Sequence, residues 1–173
     1  KVDPPLRQDE DKISMWDGIA RGTLNTIGID FTGYTRNLKL TGSLGSVIGN
    51  AKEPDIENEN IFDIAAGLST LEFMMPVVWS HGVNTGRITI PRFVQLFCEN
   101  PAKIFGIYPQ KGIIQSGSDA DLAIWDQSRP HTVTDEHGIS DLSTFRGMEL
   151  LGMPVLTMVR GQAVIDDGKL VGK

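Results

Sequence analysis

The sequence contains a single cysteine, Cys98, and no long apolar run. One cysteine excludes an internal disulfide, so a reducing, cytoplasmic setting is expected. No segment approaches the roughly 18 consecutive apolar residues that a membrane-spanning helix needs, so we predict no association with a membrane. The amino-terminal KVDPPLRQDEDK carries charges and prolines where a signal peptide carries an apolar stretch, and it lacks an initiator methionine.

Basic residues are in the minority. The chain has 16 Lys and Arg against 22 Asp and Glu, which gives a net charge of −6. A nucleic-acid-binding surface would need a basic patch, so no nucleic-acid partner is predicted. The 3 histidines are also few, and no two of them have ligand spacing such as His-x-His or HExxH. The sequence therefore predicts no self-contained histidine metal site.

Residues 99–126 contain the most informative pattern. Asn100-Pro101 interrupts a helical pattern, because proline has no amide hydrogen and clashes with the preceding turn. Gly106 is a typical left-handed end for the helix that resumes after it. Residues 116–119 have the composition of a turn, and residues 120–126 alternate as a half-buried strand does. The pattern predicts a helix, a loop, a tight turn and a strand.

The rest of the chain is predicted to be mixed helix and strand. Residues 33–60 are rich in Gly, Asn, Ser and Thr, which is typical of a lid or a disordered loop. Residues 24–30 form a short apolar run that ends in Asp30, and catalytic groups often lie at strand ends in parallel barrels. We expect helices over 10–21, 72–81 and after Thr89, strands over 24–30, 155–160 and 163–166, and a hairpin turn at Asp167-Gly168.

The run NPAKIFGIYPQKGIIQSGSDADLAIWD resembles the late signature of the cyclic amidohydrolases, in particular the dihydropyrimidinase and hydantoinase family. PPLR, a short helix and TIGID extend the resemblance toward the amino terminus. It implies an α/β fold: the C-terminal portion of a metal-dependent (β/α)₈ TIM barrel plus strands of its β-sandwich domain. Residues 1–117 would belong to the barrel, with 33–60 as a lid insertion, and residues 118–173 to the composite sandwich. The chain would then begin inside a longer protein.

The resemblance also implies site residues. Asp30 matches an aspartate that ligates the metal and handles the proton of the attacking water. Asp3, Ala66 and Gly67 match positions that contact the substrate ring. Phe31 stands where the family usually has histidine, Asp3 where it often has serine, and Ala66 where it has asparagine. From the residues alone, a cap of the following turn is the favoured interpretation of Asp30, and Asp3 is equally an exposed loop charge.

The implied reaction is hydrolysis of a cyclic amide (ureide) by water activated at two divalent metal ions, most simply zinc. The other ligands of the family would lie before this chain, so the segment alone is expected to be inactive. The implied partners are the N-terminal part of the same amidohydrolase, a small cyclic amide substrate and further copies in a homo-oligomer. Two alternatives stay open: another amidohydrolase (allantoinase, dihydroorotase or an open-chain amide hydrolase), or a non-catalytic dihydropyrimidinase-like scaffold.

Overall fold

The structure is a computed structural model that describes residues 2, 5–31, 35, 39, 66–134 and 143–172. Its helices are α1 (Asp9–Arg21), α2 (Met74–Val78), α3 (Ile90–Val94) and α4 (Asn100–Ile104), with π-helical turns at Trp79–Val83 and Gln95–Glu99. Its strands are β1 (Leu122–Thr132), β2 (Glu149–Val159), β3 (Gln162–Asp166) and β4 (Lys169–Leu170). Within these ranges, no helix is long and apolar enough to cross a membrane.

The chain divides into two compact units. The first contains Lys1–Gln8, Ile29–Met74 and Thr132–Met148, and the second contains Asp9–Gly28, Met75–His131 and Glu149–Lys173. These units do not follow the boundary at residue 117. That boundary refers to the domains of a longer protein, so it stays a prediction.

Helix α1 has the charges that its ends favour. Asp9, Glu10 and Asp11 occupy the first turn and Arg21 the last, which matches the positive and negative ends of the helix dipole. Gly22 follows with φ +84°, a left-handed conformation that ends the helix at little steric cost. The helix predicted over 10–21 is therefore confirmed.

A helical stretch runs from Ile90 to Ile104. The Thr89 side chain caps its start by accepting a hydrogen bond from the Arg92 amide, in agreement with the helix predicted after Thr89. Before Pro101 the helix widens into the π-helical turn Gln95–Glu99, where the Asn100 amide donates to the Gln95 carbonyl. Proline supplies no amide for a regular turn, so it changes the hydrogen-bond register without ending the helix. Gly106 then follows with φ +70°.

The core of the second unit is aromatic and aliphatic. The indole of Trp79 packs edge-on against Phe93, with ring centroids 5.2 Å apart, and lies 5.2 Å from Trp125 of β1. Leu96 has no exposed surface, so it anchors the helix here. The buried members of this core are Ile19, Trp79, Ile88, Phe93 and Leu96. Burying each such side chain contributes about 1.5–3 kcal/mol against exposure.

The four strands form one sheet in the order β1-β2-β3-β4. Strands β2 and β3 form one antiparallel hairpin, and β3 and β4 form another. Both residues of each turn have positive φ: Arg160 and Gly161 in the first, Asp167 and Gly168 in the second. Such two-residue turns match the natural twist of paired strands. The Asp167-Gly168 turn is thus confirmed, whereas Arg160, expected as the last residue of the strand over 155–160, belongs instead to the first turn.

Strand β2 is longer than the sequence predicted. It begins at Glu149 and continues through Gly152 and Pro154, which were expected to precede a strand over 155–160. The pairing of β2 with β3 begins at Leu156, so Pro154 lies outside that ladder and its missing amide breaks no bond in it. β1 is also longer than expected, because it extends to Thr132.

Candidate active-site segment around Asp30

The segment that leads to Asp30 is extended but is not a regular strand. Among the described residues its backbone pairing is a single parallel bridge between Phe31 and Leu68. The strand predicted over 24–30 is therefore wrong as a regular strand. A strand is defined by a ladder to a neighbour, and one bridge is not a ladder. The run ends at Asp30, which is exposed.

The bridge between Phe31 and Leu68 brings two of the candidate site segments together. Asp30 and Gly67 each immediately precede a bridged residue, so in a parallel register they lie side by side. Paired strands run about 4.8 Å apart, so the two backbones are close neighbours. Ala66 precedes Gly67, and both are half-buried, whereas Asp30 and Phe31 are exposed. A second parallel bridge joins the next residue, Ser69, to Ser143.

Gly67 has a backbone conformation that other residues rarely adopt. Its φ is +144°, which the absence of a Cβ permits. The Gly67 carbonyl accepts a hydrogen bond from the Lys39 ammonium, with an Nζ–O distance of 2.5 Å. Burial lowers the pKa of Lys39 below its ordinary value. Sequence reasoning did not identify Lys39, because it lies in the polar stretch over 33–60, whose composition gave no signal for a contact.

Side chains of the helical stretch hold the chain that leads toward Asp30. The Arg92 guanidinium donates from Nε to the Ile19 carbonyl at 2.8 Å and from Nη2 to the Leu24 carbonyl at 2.6 Å. Asn100 donates from Nδ2 to the Asn25 carbonyl at 2.7 Å. These bonds satisfy carbonyls at the end of α1 and in the extended run, which have no ladder partner. The path of residues 24–25 is therefore fixed by side chains.

The described residues do not form a complete metal site. They contain no group of three or more His, Cys, Asp or Glu side chains placed to hold a metal ion. Asp30 offers one carboxylate, whereas zinc sites use three or four protein ligands. Asp3 and most of residues 33–60, the predicted lid, lie outside the described residues.

A separate cavity of about 330 Å³ lies in the second unit. Its described lining contains no carboxylate, histidine or cysteine, so it offers no group for acid–base chemistry or metal binding. The three Arg92 nitrogens beside it already donate to Ile19, Leu24 and Gln95. The lining residues are Ala20, Gly86, Arg87, Ile88, Thr89, Pro91, Arg92 and Gln95.

Comparison with known proteins identifies the family. Residues 7–164 match the model of the amidohydrolase family. The chain is 38% identical to an L-hydantoinase of Paenarthrobacter aurescens over 173 residues, which cover 99% of this chain and 34% of that protein. It is 34% identical to a dihydropyrimidinase of Dictyostelium discoideum, over 96% of this chain and 31% of that protein.

The structure agrees with these sequence matches. It superimposes on a D-hydantoinase (dihydropyrimidinase) from Thermus sp. with a TM-score of 0.85 and 32% identity, covering 99% of this chain and 35% of that one. The chain thus spans about a third of the length of these relatives. Members of the amidohydrolase family generally use divalent metal ions. The resemblance seen in residues 100–126 is confirmed, and the chain belongs to the amidohydrolase family.

Proposed function

We propose that this chain is the C-terminal part of a hydantoinase- or dihydropyrimidinase-like enzyme that hydrolyses an amide bond of a cyclic ureide. Membership of the family and the nature of its relatives, which are named as hydantoinases and dihydropyrimidinases, support this. The observation that carries the proposal is the parallel bridge between Phe31 and Leu68, which supports it by bringing the backbone of Asp30 next to that of Gly67. In the complete protein this chain supplies the last part of a TIM barrel and strands of a β-sandwich.

Asp30 is the catalytic residue of this segment in our proposal. When bound at such a site, divalent metal ions lower the pKa of a water and polarise the scissile carbonyl. The Asp30 carboxylate accepts the proton of the attacking water and delivers it to the leaving nitrogen, which is general base and then general acid catalysis. Its exposed position at the end of an extended run supports this role, since a reactant can approach it.

The substrate ring lies against the backbone of Ala66 and Gly67 in the proposed enzyme. Ala66 has no side-chain amide, so this wall offers only backbone donors and acceptors at that position. That difference favours, as a second candidate, an amidohydrolase with another substrate: allantoinase, dihydroorotase or an open-chain amide hydrolase. Asp3 faces the same substrate in the proposal.

The remaining parts of the proposal concern what surrounds the chain. We propose that Asp30 is one ligand of a site with two divalent metal ions, most simply zinc, and that the other ligands come from the N-terminal part of the protein. The segment alone is then inactive, because one carboxylate does not hold such an ion. The working enzyme would be a cytoplasmic homo-oligomer.

A substrate panel on the full-length protein tests the proposal. Hydantoin and dihydrouracil should be hydrolysed, and the same enzyme should be assayed with allantoin, dihydroorotate and an open-chain amide. Ring opening of the first pair supports a hydantoinase or dihydropyrimidinase, and preference for one of the others supports the second candidate. Absence of hydrolysis with every substrate, in protein that contains its metal, would instead indicate a non-catalytic scaffold.

A further inference from the structure

Lys39 and Gly67 are joined by a contact between distant parts of the sequence. The Lys39 ammonium donates to the Gly67 carbonyl at 2.5 Å, and the site is partly buried. The backbone of Lys39 also forms a hydrogen bond, because its amide donates to the Thr35 carbonyl at 2.9 Å.

The Gly67 carbonyl and the Leu68 amide belong to the same peptide unit. Leu68 forms the parallel bridge to Phe31, which directly follows Asp30. A hydrogen bond to a charged donor is roughly twice as strong as a neutral one. Lys39 therefore restrains the peptide unit that joins Gly67 to Leu68, the residue bridged to Phe31.

Gly67 needs such a restraint more than another residue would. Its φ of +144° is a conformation that glycine alone enters readily, and glycine is also the residue that loses most freedom on being ordered. Without an external bond to its carbonyl, the peptide unit can rotate. A rotated unit would no longer present the same backbone atoms next to Asp30.

We infer that Lys39 is a positioning residue for the substrate-binding wall at Ala66 and Gly67, and that it acts by holding the Gly67 carbonyl. The inference rests on the proposed function, because that function makes Gly67 a substrate contact. Lys39 itself touches the wall and takes no part in proton transfer. Its removal should therefore weaken substrate binding more than it slows the chemical step.

The kinetic test compares Lys39→Met with Lys39→Arg in the full-length protein. Methionine keeps the apolar stem but removes the donor, whereas arginine keeps a cationic donor. We expect Lys39→Met to raise KM about tenfold, the effect of losing one charge-assisted hydrogen bond, with kcat changed less than about threefold. Lys39→Arg should recover part of that loss. Lys12→Met is the matched control, because Lys12 forms an exposed ion pair with Asp9 within α1.

Two kinetic outcomes would overturn the inference. One is a KM for Lys39→Met equal to that of Lys12→Met. The other is an equal fall in kcat for Lys39→Met and Lys39→Arg with a lower melting temperature, which would indicate general destabilisation. Metal content should be the same in all variants.

Hydrogen exchange of residues 66–70 tests the inference without using activity. Lys39→Met should exchange these amides at least about fivefold faster than the unsubstituted protein and Lys12→Met, because local opening becomes easier. Equal exchange in all three proteins would contradict the positioning role even if the enzyme is active. Faster exchange in a protein that hydrolyses no substrate would support the role of Lys39 and refute the proposed function.

Discussion

The guanidinium of Arg92 holds two separate carbonyls, so replacing it should destabilise the fold more than an ordinary surface change does. It bonds the Ile19 carbonyl at 2.8 Å, the Leu24 carbonyl at 2.6 Å and the Gln95 side chain at 3.2 Å. Hydrogen bonds to charged groups contribute about 1.5–3 kcal/mol each. These bonds are only partly buried, so in Arg92→Met water can bond the freed carbonyls and offset part of the lost stabilisation.

We therefore expect Arg92→Met to lower the free energy of unfolding by about 2–4 kcal/mol. Arg21→Met is the matched control. Arg21 pairs with Asp17 at 2.7 Å in α1, and the two side chains are 75% and 52% exposed. Such a surface pair contributes about 0.3–0.5 kcal/mol. Arg92→Lys should fall between the two, because one ammonium cannot bond both carbonyls in the geometry of the guanidinium.

Urea denaturation of the chain followed by circular dichroism measures these differences at constant m-value. We expect a clear shift of the urea midpoint for Arg92→Met and almost none for Arg21→Met. If the free energies of unfolding of the two variants agree within about 0.5 kcal/mol, the carbonyl contacts of Arg92 do not stabilise the fold.

Two further predictions concern the second unit. Gly152→Ala should lower the melting temperature markedly, because Gly152 has a φ of +101° and a Cβ there would lie 2.3 Å from the Trp79 ring. Gly168→Ala is the control in the same thermal scans: Gly168 has a φ of +76°, but a Cβ there would meet nothing within 4 Å, so this variant shows the effect of backbone conformation alone. The pKa of Asp121 lies below 3.8, mainly because of the hydrogen bond from Lys111 and next because of that from the Arg160 amide. The contribution of the Asp121 carboxylate to folding stability is therefore complete above pH 3.8 and is lost as the pH falls through the lowered pKa. The stability advantage over Asp121→Asn should thus be constant near neutral pH and shrink in acid, and a difference independent of pH down to full acid unfolding would contradict it.

Local sequence signals predicted the elements that depend on local chemistry. One helix ends at residue 21, before the left-handed Gly22, as predicted, and another begins after Thr89, as predicted. The Asp167-Gly168 turn follows from two residues that tolerate positive φ. In each case the residues that determine the element lie within it or next to it. The family resemblance was equally local, because its densest part lies in residues 100–126.

The sequence did not predict features that depend on distant partners. The contact between Lys39 and Gly67 joins residues that are far apart in the chain. Lys39 lies in a stretch whose composition is that of a loop, which gives no signal for such a contact. The additional length of β2, residues 149–154, precedes its ladder with β3, which begins at Leu156, and so belongs to the side of the sheet where β2 neighbours β1. The run over 24–30 has the composition of a strand, but among the described residues it has one bridged neighbour. Pairing and tertiary contacts decided these three features.

The placement of Asp30 next to Gly67 was foreseeable in part. The resemblance assigned both residues to one site, and the parallel bridge between Phe31 and Leu68 sets their backbones side by side. The roles of Asp30, Asp3, Ala66 and Gly67 remain predictions. Asp3 lies outside the described residues, so the structure gives no position for it.

The replacement of Asp30 in the full-length protein tests the central claim most directly. Steady-state hydrolysis of hydantoin and dihydrouracil should be measured for Asp30→Ala, with metal content and circular dichroism on the same samples. Asp17→Ala, which changes an exposed helical aspartate, is the matched control. We predict that Asp30→Ala lowers kcat by at least about 10²–10⁴, the usual contribution of general acid–base catalysis, and that the circular dichroism spectrum is unchanged. Turnover close to that of Asp17→Ala would contradict the catalytic role, and unfolding of Asp30→Ala would show that the carboxylate is structural.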